Sequence, residues 1–313
     1  MQNSRIVRSS PHLHSGDSTR MIMLDVIIAL LPASVASIWL FGWQSAALIV
    51  TCIAACLASE YLSRLVLRRE QTVGDLSAVV TGLLLALNLP ATLPLWQAAL
   101  GSAVAIVVVK QMFGGLGHNF VNPALVGRIV LMVSFPAAMN QYVVPFWMSS
   151  VDGVATATPL VQPESFDLQT LFFGTYGGAI GETCAAALLL GGVYLVVRRV
   201  IQPTIPVVFI GTVFVLSWLI SGDAYEATRQ ILSGGLMLGA IFMATDYVTC
   251  PVTTLGKVIY ALGCGGLTVL IRQGGSLPEG VSFAIVVMNI LVPLIERVTY
   301  AKPFGKKGGE RHA

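Results

Sequence analysis

Apolar runs long enough to cross a bilayer recur along almost the whole chain, and no other feature restricts its fold as tightly. A helix rises 1.5 Å per residue, so roughly 20 mostly apolar residues are needed to cross a hydrocarbon core of about 30 Å. Ten stretches qualify as candidate spans: 21–41, 45–67, 73–90, 95–112, 123–139, 176–197, 205–221, 230–246, 255–271 and 280–299. Composition agrees: of 313 residues 55% are hydrophobic and only 11% charged, against about 25% charged in a soluble domain. Mean hydropathy is +0.80. Only helices and closed barrels satisfy their own backbone in lipid, and runs of this length select helix. The expected fold is all-α, a polytopic membrane protein of about ten transmembrane helices. Spans 73–90 and 123–139 are short or interrupted by Pro and Gly, which a membrane tolerates only where protein or a cavity satisfies the freed backbone groups. The first span is long and has no small-residue cleavage site after it, so it reads as a span rather than a signal peptide.

Orientation follows from the basic residues, which concentrate on the cytoplasmic side. With a cytoplasmic N-terminus, 16 of the 18 Lys and Arg fall in inside segments or the adjoining helix ends, among them Arg64, Arg69, Lys110, Arg128, Arg198 and Lys257. Only Arg229 and Arg272 fall outside. This places segments 1–20 and 300–313 in the cytoplasm. The net charge of +3 reflects that bias, and no nucleic-acid partner is expected. Asp25 and Glu182 lie near span ends and read as interfacial. Cys52 and Cys56 are one helical turn apart with no His or further Cys nearby, and Cys184, Cys250 and Cys264 are scattered. No zinc spacing or disulfide framework is present.

The two halves carry a weak internal match. "TGLLLALNLPAT" (81–92) aligns with "GGLMLGAIFMAT" (234–245), pairing Gly82 with Gly235, Leu83 with Leu236, Leu85 with Leu238, Ala91 with Ala244 and Thr92 with Thr245. The copies fall in the third and eighth spans, which cross in opposite directions. The expected architecture is therefore an inverted five-plus-five repeat, 21–139 against 176–299, which places sites near mid-membrane at the repeat interface.

Two turns on the inside hold polar residues. "KQMFGGLGHNFVNPALVGR" (110–128) combines Gly114, Gly115 and Gly117 with a capping Asn122 and a helix-starting Pro123; such glycines allow positive φ. Either it is a re-entrant turn whose side chains satisfy its own backbone, or Asn119, Asn122 and Arg128 meet a polar ligand. Its glycines lack the Lys-Ser/Thr of a P-loop. "MATDYVTCPVTTLGK" (243–257) is the matching turn of the second half, and its Asp246 is either part of an ion or cofactor site or a helix-end carboxylate.

The long connection 140–175 is placed outside and contains no Lys or Arg. Structureless loops of this length are usually functional or disordered, and its Tyr142, Phe146, Trp147, Phe172 and Phe173 are too many aromatics for a disordered tether. Within it stands "SSVDGVATATPLVQ" (149–162). Its threonines have no activating His or Lys nearby, so nucleophilic catalysis is not expected of them. On local grounds it reads as a turn followed by an extended stretch ending at Pro159.

"DGVATAT" (152–158) resembles the target motif of flavin transferases, which link FMN to a threonine by a phosphoester. Together with "SPHLHSGDSTRMIMLDVIIALLP", "FGGLGHNFVNPALVGR" and "MATDYVTCPVTTLGK", found in the same order over nearly the whole chain, it is similar to the family of D subunits of the Rnf electron-transport complex and B subunits of the sodium-pumping NADH:quinone reductase. About twenty residues precede the first span, which points to the Rnf type. The resemblance implies a subunit of a bacterial inner-membrane translocase that couples electron transfer between ferredoxin and NAD to Na⁺ or H⁺ movement. It implies FMN on Thr158, with Asp152, Gly153 and Ala157 forming the attachment motif on the periplasmic side. Ala155 and Thr156 depart from the usual pattern, and Thr156 is the alternative acceptor. It further implies a non-covalent riboflavin in the membrane region, lined by the polar inside turns. The implied partners are the other Rnf subunits, above all a flavoprotein subunit at the outer face, a flavin transferase for maturation, and the lipid bilayer. A solute channel or transporter on the same repeat is the reading from another class; it has no need of the Asp-Gly…Ala-Thr motif.

Overall fold

The computed structural model describes residues 18–145, 160, 166–274 and 280–299. Ser18 caps α1 (Thr19–Phe41), its Oγ accepting from Met21 N at 3.3 Å. Gly42, at φ 72°, turns the chain into α2 (Trp43–Val66). Next come α3 (Ser77–Leu87), α4 (Leu95–Val104, continued as a π-helical stretch Ala105–Gln111), α5 (Pro123–Ser134) and the short α6 (Pro136–Met139). The second half holds α7 (Leu168–Phe173), α8 (Ala185–Val197), α9 (Thr204–Ser221), α10 (Ala224–Leu232) and α11 (Leu236–Leu238, continued as a π-helical stretch Gly239–Met243). It closes with α12 (Thr254–Gly274) and α13 (Val281–Thr299). No named strand occurs among the described residues.

Five of these helices, α1, α2, α9, α12 and α13, are long and apolar enough to cross a membrane; α3, α4 with its continuation, α5 and α8 are shorter apolar helices. With α11 they occupy all ten predicted positions. Three expected spans are less helical than their hydropathy suggests. In 73–90 a single 3-10 turn, Val73–Asp75, precedes an α-helix limited to Ser77–Leu87; in 176–197 helix begins only at Ala185, and in 230–246 it is interrupted at 233–235.

The packing of one half recurs in the other. In the first, α2 packs on α3 and α4, and α5 on α3 and α4; in the second, α9 packs on α12 and on the π-helical continuation of α11, and α13 on the same two. This is the relation expected of an internal repeat. Between the halves α1 crosses α8 antiparallel: Asp25 meets Tyr194 and Arg198, and Ala29 lies against Gly191. A Cβ on Gly191 would run into the Ala29 carbonyl oxygen and come within 2.9 Å of Phe242. Gly191→Leu is therefore expected to cost about 1–3 kcal/mol or more from overpacking. Gly211→Ala on α9 has open space around it and is expected to stabilise by up to about 1 kcal/mol through helix propensity. Thermal unfolding in detergent should show shifts of opposite sign.

The breaks explain why lipid tolerates this backbone. Pro90 cannot continue α3 as a helix, so carbonyls at its end lose their helical partners. Segment 179–181 of the second half replaces them: Ile180 N donates to Leu89 O at 3.0 Å and Gly181 N to Leu87 O at 2.9 Å. Gly181 is required there, because a Cβ would overlap the Leu87 side chain. Reciprocally, the α11 continuation ends at Met243, whose carbonyl accepts from Asn122 Nδ2 of the first half at 3.3 Å. Each half satisfies the broken span of the other.

Arg64, Arg68, Arg69, Arg198, Arg199 and Lys257 collect at one end of the bundle, the basic end, with the turns 112–122 and 244–253. Tryptophans 39 and 43 stand exposed at the α1–α2 turn on the opposite end, as interfacial aromatics do.

Candidate functional site: a polar cleft and buried polar clusters

A cleft opens at the basic end between α1, α3, α5, α8 and α11. Its polar lining is Ser77, Thr81, Lys110, Asn119, Asn122, Thr245 and Asp246; Val80, Leu84, Leu195, Ile201 and Phe242 supply apolar walls. Its cavity has room for water over about 90 Å³, less than the roughly 300–1,000 Å³ of an open small-molecule site, so its walls must part to admit a ligand larger than a few waters.

Local chain chemistry puts these polar groups there. Asn122 caps α5, its Oδ1 accepting from Ala124 N at 3.0 Å and Leu125 N at 3.4 Å, with Pro123 in the first helical turn. Asn119 Nδ2 donates to Val121 O at 3.1 Å. Asp246 accepts from Val248 N at 3.4 Å and Thr249 Oγ1 at 3.2 Å. The hydroxyls of Thr81 and Thr245 donate to Ser77 O and Ile241 O at 3.0 and 2.7 Å. These side chains thus spend their donors on nearby backbone and keep acceptor capacity at the carboxylate, the hydroxyl oxygens and the Asn119 carbonyl. A cleft so composed favours a ligand rich in N–H and O–H groups.

Of the residues singled out in the sequence, Asn119, Asn122 and Asp246 come together in this cleft. Arg128 does not line it. One and a half turns into α5, the Arg128 side chain is buried and donates through Nη1 to Asn88 Oδ1 at 2.8 Å and Ser282 Oγ at 3.1 Å. Its Nη2 lies 4.0 Å from Glu182 Oε2. Arg128 therefore belongs to the core beside the α3 break, not to the inner ends with which the orientation count grouped it. Glu182 is likewise not interfacial: it is 2% exposed and accepts from Ala179 N at 3.1 Å. The reason is the non-helical segment before α8, which turns it inward. Asp25 bonds Tyr194 at 2.8 Å and Arg198 at 3.3 Å, with the Arg198 side chain half exposed.

Two features escaped sequence reasoning. Glu60 of α2 is fully buried and paired with Lys110 at 3.0 Å; a carboxylate near the end of an apolar run was the only signal. Asn289, an amide inside α13, ties the cleft together. With its amide oriented to satisfy all its neighbours, it accepts from Asn122 N at 3.2 Å and donates to Tyr260 Oη at 2.7 Å and Thr249 O at 3.2 Å. Cys250, on the turn after α11, is half-buried, and burial pushes its thiol up to about 11. It stays protonated at neutral pH and is a poor nucleophile.

Asp152, Gly153, Ala157 and Thr158 lie outside the described residues, as do Ala155 and Thr156. Leu160, two positions after Thr158, is described: it sits against Gly234, close to the Arg272 guanidinium, at the end opposite the cleft.

Reciprocally broken spans, recurring half-bundle packing and a polar cleft beside one break define a polytopic α-helical membrane protein of the inverted-repeat kind. The chain belongs to the NQR2, RnfD, RnfE family, whose profile matches residues 6–305. It is 44% identical to the D subunit of the Na(+)-translocating ferredoxin:NAD(+) oxidoreductase complex of Acetobacterium woodii, over 96% of this chain and 95% of that protein. It is 42% identical to the D subunit of the proton-translocating ferredoxin:NAD(+) oxidoreductase complex of Clostridium ljungdahlii, over 98% of each. With the D subunit of the ion-translocating oxidoreductase complex of Escherichia coli it shares 34% over 97% of this chain and 99% of that protein.

Proposed function

We propose that this chain is the D-type membrane subunit of a bacterial ion-translocating ferredoxin:NAD oxidoreductase complex, and that it relays electrons through two flavins. The near-full-length similarity to three D subunits carries this reading; relatives named for Na⁺ and for protons are about equally similar, so the coupling ion stays open. One flavin is FMN joined by a phosphoester to Thr158. The other is a riboflavin held without covalent linkage in the cleft.

The lining fits an uncharged flavin. Acceptors at Asn119, Thr81, Thr245 and Asp246 suit a ring imide N–H and sugar-alcohol hydroxyls, and Phe242, Leu84 and Val80 suit the tricyclic ring. Lys110 is the only cation among the lining residues, and Glu60 engages it, so a phosphate would find no spare positive partner. When bound, a flavin supplies one- or two-electron chemistry, with a potential set by the surrounding protein. Asn122 and Asn289 hold the α5 start and the turn after α11 in register, and the apolar walls limit water.

The concentration of Arg and Lys at the basic end supports a cytoplasmic position for that end, and with it a periplasmic position for the Thr158 loop at the inner membrane. There the loop meets a flavin transferase during maturation and a flavoprotein subunit in the assembled complex. Acid precipitation of chain co-produced with a flavin transferase tests the reading: riboflavin should enter the supernatant and FMN stay in the pellet. Absence of flavin from both fractions contradicts it. A periplasmic reporter fused near residue 150 should be active; activity only of a cytoplasmic reporter reverses the topology.

A further inference from the structure

We infer that Lys110, held in place by Glu60, is the fixed positive charge that sets the reduction potential of the group bound in the cleft. This rests on the reading that the cleft holds a non-covalent flavin.

The two charges are buried in a membrane-spanning part of the bundle, Glu60 at 0% and Lys110 at 2% exposure. Lys110 Nζ donates to Glu60 Oε1 at 3.0 Å, to Oε2 at 3.2 Å and to Ser77 Oγ at 2.5 Å. Glu60 Oε1 also accepts from Thr72 Oγ1 and Gln111 Nε2, each at 2.9 Å. Consecutive residues 110 and 111 both reach Glu60, and they end the π-helical stretch of α4; such stretches concentrate at functional sites.

Stability alone is a weak reason for such a pair. Apolar residues of similar volume in place of a buried ion pair are often as stable or more so, and ionisable groups at membrane depth are costly. The pair is also oriented. Lys110 and Ser77 line the cleft, whereas Glu60 does not, so the dipole presents its positive end to the ligand. Each electron added to a bound ring brings one negative charge unless a proton follows it. In a low-dielectric surrounding a nearby ammonium favours that reduced form, and Glu60 limits how strongly. Glu60 is a positioning residue, which fixes the ammonium and partly offsets it.

Full-length chain made without flavin transferase carries only the non-covalent flavin, whose potential is read by spectroelectrochemical titration with dithionite. Glu60→Gln leaves the ammonium without its counter-charge and should raise the potential. The double replacement Lys110→Met with Glu60→Leu removes the pair as a unit, leaves no lone buried charge, and should lower it. We expect at least a tenfold change in the one-electron equilibrium in each case, about 59 mV per step. A merely structural pair would not move the potential in opposite directions. Retained flavin with an unmoved potential, or with both variants shifted the same way, overturns the inference. If Glu60→Gln does not purify, the downward shift of the double variant decides alone. Wild-type chain that binds no flavin overturns the reading of the cleft and the inference with it, an outcome distinct from a bound flavin with unchanged potential.

Discussion

Thr158→Val is expected to abolish flavin fluorescence of the chain on a denaturing gel, when wild type and variant are both made with a flavin transferase. A phosphoester needs a hydroxyl oxygen on the side chain, and valine keeps the shape of threonine without it. The loss should be complete, since a covalent bond either forms or does not. Thr156→Val should leave the band fluorescent; a dark Thr156 variant beside a fluorescent Thr158 variant would exchange the two assignments. The Thr158 variant should still purify as a yellow protein in its native state, because the cleft lies at the other end of the bundle from Leu160.

Arg128→Met is expected to be among the most destabilising single substitutions outside the helix crossings, at about 3–5 kcal/mol, the usual cost of removing one partner from a buried charge cluster. It strips Asn88 and Ser282 of their donor and leaves Glu182 buried in the core. Adding Glu182→Gln should recover a large part of the loss, because the buried negative charge goes too. Asp25→Asn, where the partner Arg198 is half exposed, should cost less than about 1 kcal/mol. Thermal unfolding of the four proteins in one detergent orders them: wild type and the Asp25 variant close together, the double variant intermediate, the Arg128 variant lowest. Equal melting temperatures for the Arg128 and Asp25 variants would contradict the cluster's role.

Hydropathy located the spans because the requirement for about 20 apolar residues acts locally. The shortfalls occur where long-range hydrogen bonds replace helix. Segment 176–184, "YGGAIGETC", is apolar enough to pass as membrane helix, yet its backbone is committed to Leu87 and Leu89 of the other half. Asn119, Asn122 and Asp246 were legible as a group, since each closes a turn beside a proline at the same end of the bundle. Arg128 was not separable from them, because six helical residues, about 9 Å along the axis, carry it from one polar centre to the next. Glu60 looked like an ordinary charge at a span end, and only the packing of α2 against α4 shows it buried on Lys110. Nothing local distinguishes Thr158 from its neighbours; that assignment rests on resemblance.

The central claim, a covalent flavin carried by this chain, is tested most directly by intact-mass measurement of the purified chain made with a flavin transferase, followed by mapping of its peptides. The predicted result is a mass increase of one FMN less one water, carried by the peptide containing Asp152 to Thr158. An unmodified mass, with the same transferase preparation active on a known acceptor, would contradict it.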